Sequence, residues 1–208
     1  MAHSREKGFQ TALEKACQDL RKLEPYKTAY MAGCNFHAED EGGQFLVRFF
    51  GEEYTVTFPD ISVRNASGEE ADITTRLIIL HYLIHADGTF PADRWITFRE
   101  LPDGLIYDQA FQKRANLRLL QAYGSDPKGF AAAAKALGGE RLSFGDAAYM
   151  FRLLPRIRMA VILHLGDEEL APAVNVLFDA AAGHYLPIED LAVLGGMLAS
   201  KLIKAGSF

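Results

Sequence analysis

Apolar residues recur at helical spacing in Phe9, Leu13, Cys17 and Leu20. That spacing lays one apolar stripe along a first helix, with Ser4 as its cap. Cys17 sits on the stripe and reads as a small core residue rather than a reactive thiol, since no cation is fixed beside it in sequence. Pro25 ends this helix, Pro25–Ala32 forms a short second one, and Gly33 with Cys34 closes it. The period then changes. Val47, Phe49, Tyr54, Val56 and Phe58 mark alternation over Gln44–Phe50 and Tyr54–Phe58, which predicts a β-hairpin around Gly51. Pro59-Asp60 is a turn, Ile61–Arg64 a further strand and Asn65–Glu70 a polar loop. Asp72 caps a helix over Ile73–Ala86 that is apolar on most sides, so it reads as central and buried, with Asp87-Gly88 as its stop.

Trp95–Phe98 reads as a short strand and Leu101–Gly104 as a turn. Asp108–Tyr123 and Pro127–Leu137 read as helices, the second ended by Gly138-Gly139. Ala147–Leu154 fits strand or helix by pattern alone, and Pro155 breaks it. Arg156–Leu165 alternates cleanly and predicts a central strand, with Asn175–Phe178 as its partner across the acidic loop Gly166–Ala173. Ile188, Leu191, Leu194, Leu198 and Leu202 stripe a last helix that Gly206 ends; Glu189 and Asp190 stand in its first turn, where the helix dipole favours acids. With no repeat or linker visible, the pattern predicts one α+β domain over residues 1–208. It would have a mixed or antiparallel sheet, a buried central helix, an amphipathic C-terminal helix, and residues 1–32 as a helical segment packed on it.

Composition narrows the class. A chain of 208 residues, 49% apolar and 24% charged, is long enough to bury a sizeable core and is not disordered. The net charge of −5 argues against general nucleic-acid binding, which needs a basic face to displace counterions. Arg152, Arg156 and Arg158 are the nearest thing to a basic patch. Cys17 and Cys34 are the only cysteines, too few for a multi-cysteine metal site or a disulfide framework. The longest apolar run, Leu77–Ile84, is broken by His81 and does not span a bilayer. The N-terminus lacks the apolar run of a signal peptide. These features predict a cytoplasmic protein with no membrane segment.

Three segments carry candidate chemistry. His81 and His85 lie four apart on the central helix, which puts two imidazoles on one face; Tyr82 stands where a metalloprotease would have its glutamate. The plainer use is one buried histidine and one near the helix end, where its charge suits the dipole. His164 closes a strand and Asp167, Glu168 and Glu169 follow in its loop, a set that suits a divalent ion, acid–base work or a solvated turn. Asp179 and the Glu189-Asp190 pair join this set only if the fold gathers them. Arg99-Glu100 follows the apolar Trp95–Phe98 run and reads as an ion pair or an anion clamp. The chain has no GxSxG elbow, phosphate loop or GxGxxG fingerprint. Gly195-Gly196 lies inside a helix, where it lets another element pack closely.

A series of short pieces runs from about residue 77 to 200: Leu80-His81-Tyr82-Leu83, Ala86-Asp87-Gly88, Trp95-Ile96-Thr97-Phe98-Arg99-Glu100-Leu101-Pro102 and Leu154-Pro155-Arg156. It continues through Gly166-Asp167-Glu168-Glu169, Leu177-Phe178-Asp179 and the run Tyr185 to Gly196. In the order and spacing of these pieces the chain resembles a domain of unknown function, number 3786, found in anaerobic bacteria and archaea. The chain departs from the family pattern at His164-Leu165 and at Leu170-Ala171-Pro172. The resemblance implies an accessory role around cofactors of anaerobic metabolism, beside an iron–sulfur or corrinoid protein partner. Any iron–sulfur cluster would be the partner's, because two cysteines cannot ligate one alone.

Three readings follow. In the first, the protein binds a tetrapyrrole, a corrinoid or haem, with His81, His85 or His164 as axial ligand and Arg99 or Arg156 meeting its propionates or amides. In the second, His164, Asp167, Glu168 and Asp179 form a hydrolytic or acid–base site, with or without a divalent ion, for which His164 and Asp167 would be the ligands. In the third, the protein is an interaction subunit that presents the apolar face of its C-terminal helix or a strand edge.

Overall fold

The computed structural model describes residues 2–206, with side chains from residue 7 onward. It is α+β, with two antiparallel sheets. The chain folds as two compact units, and each is described by itself.

The first unit holds the residues up to Phe90 together with Leu154–Arg156 and His184–Leu186. Helix α1 runs Ala2–Leu20, so it begins ahead of Ser4, whose side chain lies outside the described ones. Leu13, Ala16 and Leu20 are buried, but Phe9 is 41% exposed, so the inward stripe starts later than the spacing predicts. Helix α2 (Pro25–Ala32) opens on Pro25, where a missing N–H costs nothing. The Glu24 carboxylate accepts from the amides of Tyr26 and Lys27, and Gly33, at φ +66°, closes the helix. Four antiparallel strands follow: β1 (Asn35–Glu39), β2 (Gly42–Phe49), β3 (Glu52–Phe58) and β4 (Val63–Asn65). The predicted hairpin is β2–β3, in register from Gly43–Phe58 to Phe49–Glu52. Strand β1 was not expected; four of its five residues are exposed, so it carries no alternation to read.

Helix α3 (Ile73–His85) is the buried central helix of this unit, packed by α1 and α2. Asp72 caps it as predicted, accepting from the amides of Thr74 (3.0 Å) and Thr75 (3.1 Å). Leu77 through Leu80, Tyr82 and Leu83 are all buried.

The second unit holds Pro91–Leu153, Ile157–Gly183 and the residues from Pro187 onward. It is built from β5 (Trp95–Thr97), α4 (Gly104–Arg114), α5 (Asn116–Tyr123), α6 (Pro127–Ala136), β6 (Glu140–Leu142), β7 (Ala147–Leu154), β8 (Ile157–His164), β9 (Ala173–Asp179) and α7 (Ile188–Ala205). Its sheet runs β5-β9-β8-β7-β6. The segment Ala147–Leu154 resolves as a strand, because β6 and β8 flank it on both sides. The predicted β8–β9 pairing is present, from Met159–Phe178 to His164–Ala173.

The single helix expected over Asp108–Tyr123 is two, broken at Ala115. The break serves Asn116, which is buried and accepts from the Val176 amide on β9 (3.2 Å) while donating to Gln112 (2.7 Å). The predicted stripe of α7 is buried in full, so it belongs to the core and is not a free interaction face. Gly195 has the packing role expected of it: a Cβ there would stand 2.4 Å from the Phe111 ring. Phe111 in turn stacks on Phe98 at 4.2 Å between ring centroids.

Candidate functional site

The predicted histidines of α3 are neighbours, with ring centroids 6.1 Å apart. His85 is exposed and His81 half-buried. Among the described residues, no group of three or more His, Cys, Asp or Glu side chains is placed to hold a metal ion.

The set His164, Asp167, Glu168 and Asp179 is not brought together. His164 ends β8 opposite Ala173, which begins β9, while Asp179 ends that seven-residue strand. At the rise of an extended chain, Asp179 stands roughly 20 Å from Ala173. The loop residues are exposed, and Asp167 is occupied locally, accepting from the amides of Glu169 (2.9 Å) and Leu170 (2.8 Å). Those two bonds hold its carboxyl below the usual carboxylate range.

Asp179 is instead a fully buried anchor of the second unit. It accepts from the amides of Ala92 (2.7 Å), Asp93 (3.0 Å) and Ala181 (3.0 Å) and from the Arg158 guanidinium (2.7 Å). Burial would raise its pKa, but the amides and Arg158 outweigh that and keep it lowered. Arg99 is exposed and does not pair with Glu100. The Glu100 carboxylate turns back to the amide (2.8 Å) and hydroxyl (2.7 Å) of Thr97 in a capping box.

What the first unit does gather was not foreseen. Where α3 ends, Asp87 accepts from the Thr89 amide at 2.9 Å, an Asx turn completed by Gly88 at φ +86°. A Cβ at Gly88 would come 2.6 Å from the Met31 sulfur, so the turn lies close against α2. The other carboxylate oxygen of Asp87 accepts from His184 Nδ1 at 2.7 Å, across 97 positions of sequence. Burial would raise the Asp87 pKa; the bonds from Thr89 and His184 outweigh it and hold the carboxyl ionised below its usual range. An ionised carboxylate only accepts, so the His184 proton sits on Nδ1, and in the neutral ring Nε2 carries a lone pair. The His184 side chain is 51% exposed.

A buried tyrosine pair supports this dyad. Tyr185 donates its hydroxyl to the Thr89 carbonyl and stacks on Tyr82 at 5.5 Å and 28°. Burial pushes the Tyr185 hydroxyl up to about 12, against the pull of nearby Arg156. Tyr82 donates to the Ala32 carbonyl and accepts from the Arg156 amide at 3.1 Å. Its hydroxyl is also raised by burial. Cys34 lies near it, its thiol pushed up to about 12 by burial, which keeps it in the thiol form at neutral pH.

Arg156 completes the group. Its guanidinium carbon lies 4.4 Å over the ring of Phe90, which is 73% exposed. Its Nε has no hydrogen-bond partner among the described residues and would stand 3.0 Å from a Cβ at Gly33. Glycine at position 33 thus serves twice, as a left-handed helix cap and as room for this arginine.

The sequence model of the family described as "Domain of unknown function (DUF3786)" matches residues 24–201. The chain belongs to the DUF3786 family. No curated protein and no solved structure matches it. Within this DUF3786 chain, the motif pieces Ala86-Asp87-Gly88, Leu154-Pro155-Arg156 and Tyr185 converge in the first unit, around His184. The signal that could have found His184 was its place directly before Tyr185, at the edge of a motif. Among the described residues, no helix is long and apolar enough to cross a membrane.

Proposed function

We propose that this DUF3786 chain is a cofactor-binding accessory protein and that His184 is the ligating residue of its site. The observation that carries the reading is the 2.7 Å bond from His184 Nδ1 to Asp87, which leaves Nε2 as the ring nitrogen not taken by the carboxylate on a half-exposed side chain. Histidines that ligate metals almost always donate their other ring nitrogen to a carboxylate or carbonyl, which fixes the ring and raises its basicity. The donor set fits a metal tetrapyrrole, a corrinoid or haem. His184 Nε2 would be the axial nitrogen, Arg156 would meet a propionate or amide, and the exposed Phe90 ring offers a flat apolar surface. The bound tetrapyrrole would supply the redox or group-carrying metal centre. The chain's own residues hold the imidazole, its proton and a cation in fixed relation. Any iron–sulfur chemistry would come from a partner protein.

A second reading rests on the same dyad. An imidazole whose Nδ1 is held by a carboxylate is a general base at Nε2, and Arg156 would neutralise an anionic substrate. This moves the acid–base alternative from the His164 loop to His184.

Titration of the purified protein with ferric haem and with aquocobalamin, followed by visible absorption, separates the two. A saturable shift of either spectrum supports cofactor binding. A flat titration, with turnover of an ester or phosphoester that His184→Ala abolishes, supports the second reading.

A further inference from the structure

We infer that Arg156 is the anion-binding residue of a small-ligand subsite in the first unit, and that the group it takes is a carboxylate carried on an apolar body. The inference rests on the reading of the His184 cluster as a ligand site, and not on the ligand being a tetrapyrrole.

Three arginines bury their Nε without an acceptor among the described residues: Arg76, Arg156 and Arg158. Two of them have a carboxylate at the end of the fork. Arg76 meets Glu70 at 3.0 Å, and Arg158 meets Asp93 and Asp179 at 2.7 Å each. Arg156 meets no acid among the described residues. Asp87, the carboxylate of its own cluster, is committed to Thr89 and His184. Taking water from a guanidinium is unfavourable unless an anion replaces it. The fold bears that cost at Arg156 and supplies no anion.

The side chain is held in place for one. The Arg156 amide donates to the Tyr82 hydroxyl at 3.1 Å, which fixes the backbone. The guanidinium carbon lies 4.4 Å over the Phe90 ring, and Gly33 leaves Nε the room that a Cβ would take. The two Nη nitrogens are not buried, so they are the donors left for an incoming group. Two N–H donors side by side in a rigid plane match the two oxygens of a carboxylate. One guanidinium also balances the single charge of a carboxylate, whereas a phosphate group, at about −1.5 to −2 near neutral pH, calls for a second cation. An anion on this fork stands beside Phe90, a ring that is 73% exposed. An apolar group behind the carboxylate would cover that ring, as in ligand sites that set a few polar groups among apolar ones.

Nuclear magnetic resonance of the full chain, free of haem and cobalamin, tests this. Titration with benzoate should saturate and shift the Arg156 Nε–H and Phe90 ring signals together. Acetate and inorganic phosphate should bind roughly tenfold more weakly. Arg156→Lys keeps the charge but loses the fork, and should weaken benzoate binding roughly tenfold. Phe90→Ala should leave acetate unchanged and bring benzoate down to the same affinity. Arg99→Gln, at an exposed arginine of the second unit, should change neither. A benzoate titration that does not saturate, or that is indifferent to Arg156→Lys, overturns the proposal. So does acetate or phosphate binding as tightly as benzoate, which would make the site one for free oxyanions. A flat haem titration beside saturable benzoate binding removes the tetrapyrrole and leaves this subsite; a haem shift without benzoate binding does the reverse.

Discussion

His184 donates its Nδ1 proton to Asp87 across 2.7 Å and keeps its side chain half exposed. The contact fixes a tautomer, and a tautomer is observable. In proton–nitrogen correlation spectra, neutral His184 should carry its proton on Nδ1 alone. Asp87→Ala releases the ring, and both tautomers then populate. A ring that is mixed in the unaltered protein would contradict the dyad.

Asp179 makes a separate prediction, about stability. It is fully buried with Arg158 at 2.7 Å, so Asp179→Ala leaves Arg158 with the exposed Asp93 alone and frees three amides. Breaking such a pair from one side costs roughly 3–5 kcal/mol. Urea denaturation measures it, and a loss below about 1 kcal/mol would place the pair among surface bridges.

The same residue sets an acid limit. Its folded pKa is lowered, so the unfolded chain binds its proton first as pH falls. The stability Asp179 contributes is fully present above the unfolded carboxyl value of about 3.9 and is lost as pH falls through the depressed folded value. Asp179→Asn should flatten that part of the stability–pH curve, read from unfolding midpoints between pH 5 and the acid transition.

Adjacent glycines of α7 should respond in opposite ways. Gly195→Ala forces a Cβ to within 2.4 Å of Phe111 and should cost about 1–3 kcal/mol. Gly196→Ala has room at 3.8 Å and should leave the isolated chain unchanged or stabilise it by roughly 0.5–1 kcal/mol. Thermal unfolding of dilute samples distinguishes the two.

Thiol labelling checks the environment of the tyrosine pair. Burial pushes Cys34 up to about 12, while Cys17 is raised less. At pH 8, iodoacetamide should modify Cys17 ahead of Cys34 in the native protein, and both at similar rates once unfolded. Prompt labelling of native Cys34 would show that its surroundings are open.

These outcomes also mark what pattern alone can reach. Val47, Phe49 and Val56 alternate because one face of their hairpin is buried, so β2 and β3 could be read directly. The apolar run Ile157–Leu163 revealed β8, although both faces of Met159 to Leu163 are buried, and Asp72 announced α3 through its cap. Strand β1 could not be read, since edge pairing of exposed residues leaves no hydrophobic period. Nor could the Ala115 break, which lets Asn116 accept a hydrogen bond from the amide of Val176, on a strand 60 positions away. The site followed the same rule. His81, His85 and His164 stood out by local spacing, whereas His184 gains its partner 97 positions away, and no local pattern encodes that. Asp179 looked like a candidate ligand because its charge was visible and its amide cradle was not.

Ligation of a metal tetrapyrrole by His184 Nε2, as proposed, is tested most directly by the Soret band of ferric haem titrated with the unaltered chain and with His184→Ala, His81→Ala and His164→Ala. A saturable red shift is expected in the unaltered chain and in the last two variants, and its loss in His184→Ala alone. A shift that survives His184→Ala, or one that disappears with His81→Ala instead, would contradict it.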